Sequence, residues 1–314
     1  MRVILTGGTG LIGRALTASL VQDDHQVVTL SRRAAPDSML QGNAVEGTAF
    51  SGKVQWVHWP EGETWVNALE GADAVIHLAG EPIAGKRWNS KQKQRILESR
   101  QQGTRRLVDA LGRLSNPPHT LLSASAVGYY GFRGEEEVTE NDPPGDDFLA
   151  RVCEAWEAEA RRAESFGLRV VFVRTGLVLA PQGGALAPML IPFRFLMGGP
   201  LGRGQQWMSW IHLQDEVGIF RFLLEQESVA GPFNATAPHP VTNRTFSRTL
   251  GEVLHRPARV SAPAFLLRLA LGEMADALLL NGQRAVPKRL QELGYPFRFT
   301  ELKPALEAVL SAHL

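Results

Sequence analysis

Short apolar runs alternate with longer segments of helical periodicity along the first half of the chain. Such alternation is typical of a parallel sheet whose strands are joined by crossover helices. The runs predicted to be strands are residues 2–6, 26–31, 54–58, 73–78, 120–125 and 168–173. The segments with apolar residues at helical spacing are residues 11–21, 92–111 and 147–165. We therefore expect an α/β fold with a doubly wound parallel sheet of the Rossmann type.

The pattern loosens in the second half of the chain. Residues 180–204 are rich in Gly and Pro, which indicates a lobe or lid rather than sheet. One more strand is predicted at residues 231–235, and the tail from Pro257 onward indicates several short helices. The expected division is a nucleotide-binding domain of residues 1–176 plus 213–236, and a smaller, mostly helical substrate lobe of residues 177–212 plus 237–314.

Three glycines follow the first predicted strand at a spacing that is typical of dinucleotide binding. Gly7, Gly10 and Gly13 form a G-x-x-G-x-x-G turn between an apolar strand and an amphipathic helix. Glycines permit the tight turn and let backbone approach a pyrophosphate, while the helix N-terminus offers unpaired N–H groups to the anion. The residues predicted to bind the cofactor here are Gly7, Thr9, Gly10, Leu11, Ile12 and Gly13.

The end of the second predicted strand indicates which dinucleotide binds. Ser31 lies close to the position where an acidic residue usually binds the ribose 2′-hydroxyl of NAD, and Arg32 and Arg33 follow it. A serine can donate a hydrogen bond to a 2′-phosphate, and an arginine can pair with that phosphate. We therefore expect NADP(H). The plain alternative is that the two arginines simply extend into solvent.

The composition narrows the class of protein. The chain has 314 residues, 44% hydrophobic and 21% charged, as expected of a globular enzyme. Its net charge of +1, without a long basic run, gives no reason to expect nucleic acid or membrane as a partner. Cys153 is the single cysteine, which excludes an intrachain disulfide and a multi-cysteine zinc site and favours the cytoplasm. We expect a monomer or homodimer that binds a small-molecule substrate and no metal.

Several further motifs are linked along the chain. They are His77-Leu78-Ala79-Gly80, Arg87-Trp88, Ser123-Ala124-Ser125, Trp207-x-Ser209-Trp210-Ile211-His212 and Gly282-Gln283-Arg284-x-x-Pro287. Together they resemble an atypical extended short-chain dehydrogenase/reductase. More narrowly, they are similar to the NAD(P)-dependent epimerase family whose members carry a C-terminal domain of unknown function and are sometimes labelled cell-division inhibitor.

The resemblance extends the candidate cofactor site. It implies that Leu78, Ala79 and Gly80, followed by Glu81, lie along the adenosine side of the cofactor. It also implies that Arg100 faces the cofactor phosphates from the long helix. Small residues at a strand end fit this role, because they let a ligand lie against backbone. Arg100 also has a plain interpretation as a solvated helix charge.

The usual catalytic pair of these enzymes is missing from the sequence. Short-chain dehydrogenases generally use a Tyr as acid/base and a Lys four residues later that lowers its pKa. The tyrosines are Tyr129, Tyr130 and Tyr295, and the positions four residues on hold Arg133, Gly134 and Phe299. A tyrosine without a cationic neighbour is a poor base near neutral pH. Standard dehydrogenase chemistry is therefore not expected.

Substitute catalytic groups are predicted near the end of the fifth strand. Ser125 matches the family's catalytic serine, although a hydroxyl that satisfies backbone is an alternative role. Tyr129 follows closely enough to share a cleft with it. Weaker candidates for proton transfer are Glu81, Tyr130 and His212, and His212 is more simply a structural residue at a strand end. Candidate walls of a substrate pocket are Trp88, Trp207 and Trp210, although packing in the core explains these side chains about as well. Weaker candidates, as ligands of an anionic substrate group, are Arg87, Arg174 and Arg203.

Two hypotheses of different classes remain at this stage. The first is an NADP(H)-dependent oxidoreductase or epimerase with non-standard catalytic residues, acting on a small molecule in the cleft beside Ser125. The second is a catalytically idle NADP(H)-binding sensor or scaffold, which the missing Tyr and Lys favour. The fold alone does not decide between them.

Overall fold

The computed structural model describes residues 1–32, 53–60, 62, 64–181 and 183–311. Labels below number the described elements in chain order. The strands are β1 Arg2–Thr6, β2 Gln26–Ser31, β3 Val54–His58, β4 Ala74–His77, β5 Thr120–Ala126, β6 Glu137–Val138, β7 Arg169–Thr175, β8 Leu177–Leu179, β9 Trp207–Met208, β10 Trp210–His212, β11 Gly231–Ala235, β12 Val241–Thr242 and β13 Arg284–Ala285.

The helices of the described residues lie between these strands and in the C-terminal third. They are α1 Leu11–Gln22, α2 Thr64–Asn67, α3 Ser90–Leu111, α4 Phe148–Arg161, α5 Leu186–Arg194, α6 Leu213–Glu225, α7 Asn243–Val253, α8 Ala264–Leu271, α9 Glu273–Ala275, α10 Lys288–Glu292 and α11 Leu302–Ser311. Polar side chains cap the N-termini of the two longest helices. Asn89 accepts from the Gln92 N–H before α3, and Asp147 accepts from the Ala150 N–H before α4.

Seven strands form one parallel sheet in the order β11-β7-β5-β4-β1-β2-β3. The chain builds outward from β1 to β3 and then returns to place β4 on the other side of β1. This reversal puts Thr6, at the end of β1, opposite His77, at the end of β4. In a doubly wound sheet the crevice at the carboxyl ends of these two strands is where a ligand binds.

Apolar layers cover both faces of the sheet, and a third cluster forms the core of the C-terminal lobe. The first layer packs α1 and α6 on the sheet, and the second packs α3 on the opposite face. The lobe cluster includes Trp210, Phe246 and Leu306, which are fully buried. Burial of this extent is the main source of stability in a globular protein.

The predicted fold class is confirmed, and the elements differ from the predictions mainly at their ends. Strand β7 continues to Thr175, two residues beyond the predicted end, because both β5 and β11 pair with it there. The prediction for residues 180–204 missed α5, since the Gly and Pro content hid a helix of nine residues. Six short strands were also missed, because their pairing partners lie far away in sequence: β6, β8, β9, β10, β12 and β13.

Candidate functional site

The glycine turn after β1 has no space for side chains at two of its three glycines. Gly7 adopts a φ of +75°, and a Cβ there would lie 2.8 Å from the carbonyl carbon of Leu78. A Cβ on Gly13 would lie 2.4 Å from the Gly7 carbonyl oxygen. The Gly10 N–H donates to that same oxygen over 2.9 Å, and Gly10 begins α1 without a capping side chain. The turn therefore holds the start of α1 against the end of β4, with its first N–H groups open to an anion.

A buried chain of hydrogen bonds fixes the two strand ends beneath this turn. The Nδ1 atom of His77 lies 2.7 Å from the Thr6 hydroxyl, and its Nε2 atom lies 2.9 Å from the Thr104 hydroxyl on α3. Burial lowers the pKa of His77 to about 4, so the ring is neutral at pH 7 and links the two hydroxyls without a charge. The sequence motif at His77 thus has a structural role below the candidate cofactor site.

The end of β2 carries the residues predicted to select the dinucleotide. Ser31 is buried and Arg32 is exposed, directly after the last residue of the strand. Arg33 lies outside the described residues. Because β2 is the neighbour of β1, Ser31 and Arg32 end at the same edge of the sheet as the glycine turn. The structure therefore brings Ser31 and Arg32, two of the three residues predicted to select the dinucleotide, to the edge of the sheet where the cofactor site is expected.

Arg100 lies against the end of β4 rather than in open solvent. The three terminal atoms of its guanidinium lie 3.0–3.2 Å from the point where a Cβ on Gly80 would stand, so a larger residue at position 80 would have to displace this guanidinium. One nitrogen donates to the carbonyl of Glu81 over 3.0 Å, and the group stacks on the ring of Trp156. Burial lowers the pKa of Arg100. The interpretation of Arg100 as a freely solvated charge is therefore wrong.

The residue Ser125 belongs to a buried network of charged side chains at the end of β5. Its hydroxyl donates to Glu157 Oε1 over 2.7 Å, and the Arg174 guanidinium holds the same carboxylate through two contacts of 2.8 and 2.9 Å. Ser125, Glu157 and Arg174 are each less than 5% exposed. Although burial opposes its charge, the carboxylate of Glu157 raises the pKa of Arg174. Ser125 thus does not satisfy backbone, and Arg174 is not available to hold an anionic substrate group.

The network continues from Arg174 to β11 through a second tyrosine. Arg174 donates to the Tyr130 hydroxyl over 2.9 Å, and that hydroxyl donates to the side-chain amide oxygen Oδ1 of Asn234 over 2.7 Å. Tyr130 is completely buried, so it cannot reach a substrate. Tyr129 is half-buried, and the Arg174 guanidinium lies 3.5 Å from the centre of its ring. Burial raises the pKa of Tyr129. Tyr129 therefore keeps its proton at neutral pH.

The face of α4 that lies beside the end of β5 carries apolar residues at the positions where a Tyr and Lys pair could transfer a proton to a substrate. A Cβ placed on Gly128 would lie 3.5 Å from the Cβ of Leu149, so Leu149 stands next to the turn that follows β5. One turn further on, Cys153 is buried, and burial raises the pKa of its thiol to about 12. Cys153 is therefore packed, and its thiol is a poor nucleophile near neutral pH. The next residue on this face is Glu157, which begins the charged network.

Other candidates have structural positions. His212 accepts from the Gln214 N–H at the start of α6, packs on Phe299, and has a pKa that burial lowers to about 4. Its preferred interpretation as a structural residue at a strand end fits these contacts. Trp88 and Trp210 are buried in apolar clusters, whereas Trp207 is half-buried under the Arg284 guanidinium. No cluster of three or more His, Cys, Asp and Glu suited to a metal occurs in the part of the chain that the structure describes.

Sequence reasoning missed Glu157 and Asn234 as partners in the network. One signal was present: Arg174 interrupts an apolar strand, and a buried arginine requires an anionic or polar partner. The identity of that partner was not readable, because Glu157 lies on a different element and Asn234 on a third.

Comparison with known proteins agrees with this geometry. Residues 3–235 match the NAD dependent epimerase/dehydratase family, and residues 262–309 match a domain of unknown function, DUF1731. The chain is 39% identical over 312 residues to the epimerase family protein YfhF of Bacillus subtilis, with 99% of this chain and 98% of that protein covered. It is also 39% identical over 315 residues to the chloroplastic SDR39U1 homologue of Arabidopsis thaliana, with 99% and 87% covered.

A solved structure extends the comparison to three dimensions. The crystal structure of human epimerase family protein SDR39U1 (isoform 2) with NADPH matches with a TM-score of 0.87 at 34% identity, over all of both chains. The fold and the C-terminal segment of this chain thus match known proteins. The chain belongs to the NAD dependent epimerase/dehydratase family, among the members that carry the DUF1731 domain.

Proposed function

We propose that this protein binds NADP(H) and uses it as an oxidoreductase or epimerase acting on a small molecule. The observation that carries the proposal is the glycine turn, where a Cβ on Gly7 or Gly13 would collide with backbone and the start of α1 is open. Such an arrangement suits a pyrophosphate. The human relative named above was crystallised with NADPH, which supports the same cofactor here.

Two exposed or half-exposed groups support NADP(H) over NAD(H). Arg32 is exposed at the end of β2, where its guanidinium can pair with a 2′-phosphate, and its neighbours in the sequence, Ser31 and Arg33, are not acids that would repel that phosphate. Arg100 adds a cation at the end of β4, held against Gly80 and stacked on Trp156. When bound, the nicotinamide supplies or accepts a hydride.

The chain's own residues supply orientation and a proton in this proposal. Ser125 lies at the end of β5 with its proton directed at Glu157, which leaves lone pairs on its oxygen to accept from a substrate hydroxyl. Tyr129 keeps its proton and is the donor to the substrate oxygen. The Arg174 guanidinium over its ring would stabilise the tyrosinate left behind, which gives the cation a role that a lysine plays in related enzymes.

The cofactor preference is tested by replacing Arg32 with alanine and measuring NADPH and NADH binding by nicotinamide fluorescence. A charge-assisted contact contributes about 1.5–3 kcal/mol, so NADPH binding should weaken about tenfold to hundredfold while NADH binding stays unchanged. Arg106→Ala, an exposed arginine on α3, is the matched control and should alter neither affinity. Equal weakening for both dinucleotides would contradict the assignment of Arg32.

The catalytic part is tested by single-turnover oxidation of NADPH with a panel of carbonyl compounds and sugar nucleotides. We expect turnover in the native protein, and a lower rate of the chemical step in Tyr129→Phe and Ser125→Ala. A second candidate function, an idle NADP(H) sensor, is favoured by the apolar pair Leu149 and Cys153 on the face of α4. Tight NADPH binding without turnover on any compound would favour the sensor over the enzyme.

A further inference from the structure

Three consecutive large apolar side chains project from the end of α5. Phe195 is 72% exposed and Met197 is 61% exposed, with Leu196 between them. The turn is well held, because the Phe195 and Met197 N–H groups both donate to the Pro192 carbonyl, over 3.1 and 2.9 Å. Leu196 has a φ of +59°, which a leucine rarely adopts and which costs free energy. We call residues 195–197 the apolar tip.

Arginines from three separate segments lie near the apolar tip or in a cleft that begins a few residues after it. Arg194 precedes it directly on α5. The backbone of Val260, which is itself half exposed, donates to the Gly198 carbonyl over 3.1 Å and so places residues 256–260 beside the tip. A cleft of about 830 Å³ opens there. Its lining is Pro200, Arg244, Arg248, Gly251, Glu252, His255, Arg256, Ala258, Arg259 and Ser261.

The charges of this cleft are poorly compensated. Four arginines line it against one acid, and Glu252 approaches only Arg248, at 3.8 Å. Among the described residues, Arg194, Arg256 and Arg259 form no salt bridge, and all three are exposed. Isolated apolar residues on a surface are ordinary, but consecutive ones beside a patch of one charge sign indicate an interaction surface.

We propose that the apolar tip and the arginine cleft together dock this protein on the surface of an anionic phospholipid bilayer. The apolar side chains would enter the boundary between headgroups and acyl chains, while the arginines contact lipid phosphates. Because backbone hydrogen bonds hold the apolar tip, its backbone loses little conformational freedom when the tip enters the bilayer. No helix in the described ranges is long and apolar enough to cross a membrane, so this is contact with one face only.

The charge pattern favours a bilayer over a second copy of the chain. In a twofold dimer this patch would have to complement its own copy, and its lining offers one acid, Glu252, to the four arginines of the partner. An anionic lipid surface complements both features, because its acyl chains suit the apolar tip and its phosphates suit the arginine cleft. The proposal departs from the sequence expectation of no membrane partner, which depended on the absence of a basic run. Folding collects arginines that are dispersed between positions 194 and 259.

Vesicle flotation of the full-length protein tests the proposal. The probes are vesicles of phosphatidylcholine alone and of phosphatidylcholine mixed equally with phosphatidylglycerol. We expect flotation with the anionic vesicles only, and progressive release as salt is raised. The triple variant Phe195→Ser, Leu196→Ser, Met197→Ser and the double variant Arg256→Glu, Arg259→Glu should each bind the anionic vesicles at least about tenfold more weakly.

Controls separate this surface from general effects of charge and exposed apolar area. Phe132→Ser removes another exposed aromatic, and Arg106→Glu reverses an exposed arginine on α3; both should float like the native protein. Unchanged NADPH affinity or thermal unfolding in the tip and cleft variants shows that they are folded. Absence of flotation, equal flotation with neutral vesicles, or native binding by both variants would overturn the proposal. A dimer in sedimentation that the triple variant abolishes, without vesicle binding, would assign the surface to a second copy instead.

Discussion

Replacing Arg174 with leucine removes the cation that holds the buried carboxylate of Glu157. Two contacts of 2.8 and 2.9 Å are lost, and Ser125 remains as the hydrogen-bond donor to that carboxylate. Because Glu157 is only 3% exposed, water cannot replace the guanidinium without a change in packing. Breaking a buried ion pair in this way costs about 3–5 kcal/mol. Glu157→Leu should cost a similar amount, since it leaves the arginine without its anion.

The double variant Glu157→Leu, Arg174→Leu leaves neither charge uncompensated. Its free energy of unfolding should therefore exceed the value expected from adding the two single losses, by about 2 kcal/mol or more. Urea unfolding of the native protein and the three variants, followed by fluorescence and circular dichroism, measures this difference. Additive losses would refute the inference that Glu157 and Arg174 stabilise the site as a pair. Single losses below about 1 kcal/mol would show that water or a side-chain movement compensates the charge.

Two further predictions concern the glycine turn and a buried acid. Gly13→Ala should weaken NADPH binding at least about tenfold and lower the thermal unfolding temperature, because the new Cβ meets the Gly7 carbonyl at 2.4 Å. The matched control is Gly103→Ala inside α3, where the new Cβ would lie 3.7 Å from the nearest atom, on the Trp59 ring. This variant should bind NADPH normally, and equal effects of the two substitutions would contradict the steric argument. Burial raises the pKa of Glu216 to about 8, so the folded protein keeps a proton that the unfolded chain loses above its ordinary pKa of 4.5. The native protein should therefore lose stability relative to Glu216→Gln as pH rises from about 4.5 to 8, by up to about 1.4 kcal/mol per pH unit; parallel urea stability curves would show that Glu216 is ionised in the fold.

Features that depend mainly on residues close together along the chain could be predicted from the amino-acid sequence. The turn from Gly7 to Gly13 spans a single strand-to-helix junction, and glycine is required there because of contacts made within the first elements and with the adjacent end of β4. Hydrophobic periodicity likewise marked the main strands, since a strand buried on both faces is apolar wherever its partners come from. The absence of a Tyr and Lys pair could also be counted directly.

Which polar residues contact one another became visible in the folded chain. The buried network is built from four elements, which supply Ser125, Glu157, Arg174 and Asn234. No local sequence pattern specifies that the carboxylate of Glu157 joins Ser125 to Arg174. The same holds for the arginine cleft, whose members are ordinary exposed residues until the chain folds. Local periodicity is set by the geometry of single helices and strands, whereas these clusters depend on how distant segments pack. For that reason the sequence could predict a cofactor site, and the fold was needed to show what lies beside it.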